Sequence, residues 1–321
     1  MRLKLVPTIT NVDFFKYTKV TFGGSILAMI ASIGIFFMAG LNYGIDFRGG
    51  TTIRTDSQLA VDVAKYREAL ETLNLGDISI TQVTDLAQPN QNVTQIRIQA
   101  QEGDEAISNE VIIAVKAALK GLDSTMTFPQ VESVGPKVSG ELIQTAVIAV
   151  FLAIVAVLFY IWLRFEWQFS IGAVAALVHD VVLTIGVFSV LQIKFDLAII
   201  AALLTIVGYS LNDTVVVFDR VRENLRKYKK KALKEVLNLS INETLSRTVM
   251  TSVTTLIALI SLFVLGGDVI RGFVFAMIWG VVVGTYSSVF VASAILLKLN
   301  VTRDWSAKDV NTGGQFSNID A

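Results

Sequence analysis

One carboxylate stands out for where it sits. The stretch Gly208-Tyr-Ser-Leu-Asn-Asp213-Thr-Val-Val-Val-Phe218 closes an apolar run that begins at Leu197, and Asp213 is its only ionisable side chain besides Tyr209. A carboxylate in such a run is costly to bury, so it marks a functional position and calls for a partner. The partner is expected in the next apolar segment, Thr244-Leu-Ser-Arg-Thr-Val-Met-Thr-Ser-Val-Thr-Thr255, whose basic residue is Arg247. Pairing lowers the cost of both charges, and protonating Asp213 removes the attraction and biases helix packing. A static ion pair, or an arginine snorkelling to the interface, uses the same residues.

Further polar groups sit in apolar surroundings. His179 and Asp180 fall near the middle of another apolar run. Neighbours on a helix point about 100° apart, so the two are not expected to face one partner well. Asp180 and Thr184 share a face, and a relay and a hydrogen-bonded structural role both fit. Ser210, Asn212, Thr251, Ser252, Thr254 and Thr255 can hold water near Asp213 or join helices to one another.

Several chemistries are excluded. The chain has no cysteine and one histidine, so it offers no thiolate site, no cysteine nucleophile and no multi-histidine metal site. It has no His-Glu-X-X-His, and Asp213 lacks the Gly-X-Gly-Asp setting of intramembrane aspartyl proteases, so no enzyme and no cofactor is expected. Gly49-Gly50-Thr51 is followed by no lysine and reads as a turn feeding a strand rather than a phosphate cradle. Net charge is zero, and the basic run Arg220 to Lys231 reads as a lipid-facing, topology-setting loop, with no nucleic-acid role.

The elements that position these residues are membrane spans. Of 321 residues, 53% are hydrophobic and 17% charged, with mean hydropathy +0.61, too apolar for a soluble chain of this size. Apolar runs cover Val20 to Ala39, Leu142 to Leu163, Phe169 to Leu191, Leu197 to Phe218, Leu245 to Leu265 and Gly272 to Leu297. Each matches the roughly 20 residues that one crossing needs. The first follows a long polar lead and reads as a retained span rather than a cleaved signal. The Lys/Arg excess predicts a cytoplasmic basic loop at 219–244, with residues 1–19 and the tail 298–321 cytoplasmic too. Span one is then 20–40, spans two to six fill 142–297, and 41–141 lies outside. On roughly 1.5 Å per residue, Asp213 sits about 24 Å along its helix, in the cytoplasmic half of the membrane.

Residues 41–141 read as a small domain. Strand patterns at Thr51 to Thr55, Ile78 to Val83, Val93 to Ile98 and Met126 to Val134 alternate with amphipathic helices at Val61 to Leu73 and Ile107 to Leu119. A turn is expected at Gln88 to Asn92. The order βαββαβ predicts an α+β, ferredoxin-like fold, and no catalytic constellation is apparent in it.

Three motifs carry a resemblance. Gly44-Ile-Asp46-Phe-Arg-Gly49-Gly50-Thr51 resembles the Gly-Gly signature of the SecD/SecF family of bacterial protein-export membrane proteins. Gly208 to Glu223 and Ser246 to Thr255 resemble that family's fourth- and fifth-span signatures, and the resemblance extends over nearly the whole chain. It implies a six-helix bundle of the resistance-nodulation-division type with one periplasmic domain in the inner membrane. It implies an accessory subunit that works with SecD, the SecYEG translocon and YajC, contacts lipid, and pulls translocating polypeptide outward. Protons are the implied coupling ion, carried at Asp213 and Arg247. A half-size proton-coupled small-molecule exporter and a passive translocon scaffold are the alternatives; about a hundred external residues is small for a drug-binding domain.

Overall fold

The computed structural model describes residues 10–60, 62–73, 75–76, 78–83, 92–98 and 107–301. Of the expected features, the turn from position 88 to 91, the tail beyond 301 and positions 1–9 lie outside these residues. In chain order the elements are α1 (Thr18–Ala39), α2 (Ile45–Arg48), β1 (Gly50–Ser57), α3 (Val63–Glu71), β2 (Ile78–Val83), β3 (Asn92–Ile98), α4 (Asn109–Leu122) and β4 (Thr127–Val134). Then follow α5 (Pro136–Arg164), α6 (Trp167–Leu191), α7 (Leu197–Lys227), α8 (Leu233–Leu265), α9 (Asp268–Ser287), a π-helical turn (Ser288–Ala292) and α10 (Ser293–Lys298).

Among the described residues six helical stretches are long and apolar enough to cross a membrane: α1, α5, α6, α7, α8 and the continuous rod made by α9, the π turn and α10. α6, α7 and the last rod form the centre, where about half of the residues are buried, whereas α1, α5 and α8 turn most of theirs outward. A helix apolar all round fits a lipid-facing position better than a soluble one. α1 stops at Gly40, which takes φ +66°, a backbone region that favours glycine. Pro136 opens α5 at a position where its missing N–H costs nothing.

The basic stretch is not a loop throughout, because α7 continues to Lys227 and α8 starts at Leu233. Arg220 pairs with Glu223 on its own helix and with Glu243 across the hairpin, at 2.6 and 2.7 Å. Exposed pairs of this kind contribute little. The hairpin is held by buried Phe218, Val221, Leu225, Val236, Leu237 and Ile241. Asn242 exchanges two 2.8 Å bonds with the backbone of Val12, strapping the N-terminal segment along α8.

The segment between α1 and α5 builds a four-stranded antiparallel sheet in the order β2-β3-β1-β4. α3 and α4 pack on one face, closing a core of Ile53, Tyr66, Leu70, Ile96, Val115 and Leu119. Asp62 caps α3 by accepting from the amides of Ala64 and Lys65, and Ser108 caps α4 through Val111. The other sheet face, with Thr52, Arg54, Gln95, Gln130 and Glu132, borders a cavity of about 800 Å³ that Asp196 and Arg271 at helix ends also line.

Asp123, just after α4, accepts from the Ser57 hydroxyl and from both the hydroxyl and amide of Thr125, and these bonds hold its carboxyl below the usual range, the Ser57 bond foremost. A depressed folded-state value contributes stability that is fully present above the unfolded value and lost as pH falls through the folded one. The excised segment 51–135 is expected to unfold cooperatively, as it encloses its own core. Asp123→Asn should lower its thermal midpoint near neutral pH, with the difference from wild type closing in strong acid. A non-cooperative melt, or a difference independent of pH, would contradict this.

Candidate functional site

Asp213 lies on the buried stripe of α7 with Leu203, Ile206, Ser210, Thr214 and Val217, and is 3% exposed. Its Oδ2 has no hydrogen-bond partner among the described residues, nor has the buried Thr248 Oγ1 on the neighbouring α8. Arg247 is exposed, one position off the buried α8 stripe Ser240, Thr244, Thr248 and Ser252. No ion pair joins Arg247 to Asp213 among the described residues; its guanidinium acts on the carboxylate across space. The two helices are adjacent, but the residues do not make the direct contact that their types suggested.

The expected surrounding groups divide. Asn212 is exposed and does not reach the Asp213 face. Thr251 gives its hydroxyl to the carbonyl of Thr248 on its own helix, at 2.9 Å. Ser210 instead donates to Asp180 on α6, 2.6 Å from Oδ2, and Ser287 on α9 donates to the same oxygen at 2.8 Å. The Nδ1 of His179 lies 2.9 Å from Asp180 Oδ1. His179 and Asp180 thus bond to each other as neighbours on one helix.

Close helix approach makes this cluster possible. A Cβ at Gly284 would stand 3.0 Å from Ser210 Cβ, and one at Gly280 would clash with Ile206. Small residues at these two positions let α9 lie directly on α7, as in other membrane bundles. The π turn begins immediately after Ser287, and such turns in α-helices often mark functional sites. Nothing in the sequence pattern signalled it.

The Gly-Gly turn has a definite mechanical place. Gly44 N–H donates to the carbonyl of Phe195 at 2.7 Å, and Phe195 N–H to that of Asn42 at 2.8 Å. Asp46, in the single turn α2, accepts from the amide of Leu197, the first residue of α7, at 2.9 Å. A Cβ at Gly44 would lie 3.1 Å from Asp196 Cβ, so this approach needs glycine. Gly49 and Gly50 take φ +72° and +122° and turn the chain into β1. Arg97 of β3 donates to the carbonyl of Tyr43 at 2.9 Å. The sheet is thus tied to the start of the helix that carries Asp213. Burial raises the Asp196 carboxyl above its usual range against the pull of Lys194, 3.7 Å away. Among the described residues no group of three or more acidic or histidine side chains is placed to hold a metal ion.

A family model described as "Protein export membrane protein SecD/SecF, C-terminal" matches residues 114–302, and one described as "SecD/SecF GG Motif" matches 34–57. The chain belongs to the SecD/SecF family. Like others of the SecD/SecF family it is a multi-pass membrane protein. It is 62% identical over 321 residues to a protein of Cereibacter sphaeroides named protein translocase subunit SecF, covering 100% of this chain and 99% of that one. It is 42% identical to the Brucella abortus protein translocase subunit SecDF, covering 94% of this chain but only 39% of that longer one. The crystal structure of SecDF from Thermus thermophilus, a translocon-associated membrane protein, superposes with a TM-score of 0.81 at 35% identity over 94% of this chain and 40% of that one. A SecDF structure in a super-membrane-facing form gives 0.68 at 36% identity, over 93% and 40%.

Asp46→Ala removes one capping acceptor at the start of α7, a loss of about 1 kcal/mol. Hydrogen exchange at Leu197 and the following amides should quicken by about fivefold, while exchange deep in α7 stays unchanged. Unaltered exchange at Leu197 would mean that Asp46 does not anchor the helix.

Proposed function

We propose that this chain is an accessory subunit of the Sec protein translocase that, with SecD, couples proton flow to the late stage of polypeptide export across the bacterial inner membrane. The observation that carries the reading is Asp213, a carboxylate buried in a membrane-spanning helix with an unpartnered oxygen and an arginine acting on it from the next helix. Such a group exchanges a proton for a change in helix packing. The match to SecF proteins along their full length favours the translocase over a half-size small-molecule exporter. That the chain aligns with under half of fused SecDF proteins favours SecD as the complementing half. SecYEG, YajC, lipid and the emerging polypeptide are the remaining partners, with the proton as coupling ion and no other cofactor.

In this reading the sheet domain is periplasmic and both termini are cytoplasmic. The strand order β2-β3-β1-β4, with helices after β1 and β3, favours a ferredoxin-like assignment. Protonating Asp213 removes its attraction to Arg247 and shifts α7 against α8. The Asp46 bond at the opposite end of α7 passes that shift to the Gly-Gly turn and so to β1.

The test is late-stage export under an imposed proton gradient, with the amount of assembled complex measured alongside. Asp213→Asn keeps shape but cannot titrate; assembly with SecD should persist while gradient-driven export falls to background. Arg247→Met should fail as well, and Arg247→Lys, which keeps charge without the planar fork, should keep partial function. Normal gradient-driven export by Asp213→Asn would remove Asp213 from the mechanism. For topology, a reporter active only outside the membrane should work when fused near Gln91 and be silent near Lys230, and the opposite pair would invert the orientation.

A further inference from the structure

We propose that His179 and Asp180 form a second proton-binding site in the membrane bundle, in which Nε2 of His179 takes the proton and Asp180 holds the imidazole in place to receive it. This rests on the proton-coupled reading above but uses different residues, on α6 rather than on α7 and α8.

The geometry decides the protonation states. Both oxygens of Asp180 are occupied as acceptors: Oδ2 takes bonds from the hydroxyls of Ser210 and Ser287, and Oδ1 faces Nδ1 of His179. The serine hydroxyls reach Oδ2 from two different helices, which is the arrangement of an ionised carboxylate with donors on every side. Nδ1 therefore carries hydrogen and donates to Oδ1. That leaves Nε2 as the lone-pair nitrogen of a neutral ring, and Nε2 is buried with no hydrogen-bond partner among the described residues. His179 is 1% exposed and Asp180 0%, so the pair holds one net negative charge in the bundle centre.

A single uncompensated charge there is costly. One proton makes the pair neutral overall. On Asp180 it would have to displace one of three donor bonds, whereas on Nε2 it displaces none. The proton adds to the Nε2 lone pair, the Nδ1–H bond to Asp180 stays, and the product is an imidazolium facing a carboxylate. Histidine is the side chain whose charge ordinarily changes within the physiological range.

The groups around the pair are almost all neutral. α9 presents Tyr286, whose ring stacks on the imidazole with centroids 6.1 Å apart and whose hydroxyl donates to the carbonyl of Thr21 and meets Ser25 on α1. α7 presents Ser210, with Asp213 three positions further along the same buried stripe and the only charged group on the α7 side of the pair. α1 and α5 carry no charged residue within their membrane portions, Ile26 to Ala39 and Leu142 to Leu163, and the π turn and α10 carry only Lys298 at the end. Ser210, bonded to Asp180, thus stands about one helical turn from Asp213 on α7.

His179 is the only histidine in the chain, so its ring can be read alone. The experiment labels the imidazole nitrogens of this chain, assembles it with unlabelled SecD in lipid, and follows both nitrogens by NMR against pH. At alkaline pH a protonated Nδ1 and a bare Nε2 are expected, with Nε2 gaining a proton in one step on acidification. Asp180→Asn should weaken proton binding at Nε2 by about tenfold, because the stabilising anion is gone. A ring protonated at Nε2 and bare at Nδ1, or a titration indifferent to Asp180→Asn, would overturn the proposal. His179→Asn supplies the second arm: its amide can still donate to Asp180 but binds no proton, so assembly should survive while gradient-driven export fails. Export by His179→Asn with the wild-type rate and pH profile would also overturn it. If instead Asp213→Asn exports normally while Nε2 titrates as described, the role given to Asp213 falls and the second site stands.

Discussion

A carboxylate sealed inside an apolar bundle must find its hydrogen-bond donors in the protein, and the centre of this structure is arranged to supply them to Asp180. Ser210 comes from α7, Ser287 from α9 and the imidazole from the neighbouring residue. Donors from separate helices fix the relative rotation of those helices, since turning any one would strand a buried acceptor, at a cost of about 1–3 kcal/mol. Gly280 and Gly284 follow from the same requirement, because Ser210 and Ser287 can share one oxygen only if α7 and α9 nearly touch. The π turn after Ser287 lies where the last rod must keep a hydroxyl pointed inward and still continue to Lys298.

Beside the fully bonded carboxylate of Asp180, Asp213 is conspicuous. It is almost as deeply buried, yet one oxygen has no donor among the described residues, and Arg247 stands on the exposed side of another helix. A carboxylate with donors at both oxygens is held in one state. Asp180 ties α6, α7 and α9 together, whereas Asp213 makes no comparable set of bonds among the described residues. At the far end of α7 the Asp46 bond and the backbone exchange between Asn42, Gly44 and Phe195 join this helix to the sheet domain. Between Asp46 and the first strand lie only three residues, so little slack separates α7 from β1.

Much of this could be read from the chain. The apolar runs announce six spans because a soluble fold has little use for 20 or more apolar residues almost free of charge. The alternation in Ile78 to Val83 and Val93 to Ile98 announces strands by the same logic of burial. Asp213 is legible because burying an acid in such a run is costly enough that chance placement is rare. Other features were not legible. The π turn leaves no mark in Ser288-Val-Phe-Val-Ala292, since a π turn follows from packing and not from local preference. The contact between His179 and Asp180 depends on rotamers, which helical periodicity does not specify. The distance of Arg247 from Asp213 depends on how α8 is rotated about its axis, which residue types alone leave open. The bond from Asp46 to Leu197 spans 151 positions and emerges only in three dimensions.

If proton occupancy at Asp213 moves the sheet domain through α7, the motion must appear as a change of distance between that domain and the bundle. The most direct test places one spin label on α4 and another on α8, in the complex with SecD in lipid, and measures their separation across a range of pH. The distance is expected to shift with pH in the wild-type chain and to stay fixed in Asp213→Asn. An identical shift in both chains, or none in the wild type, would contradict the coupling.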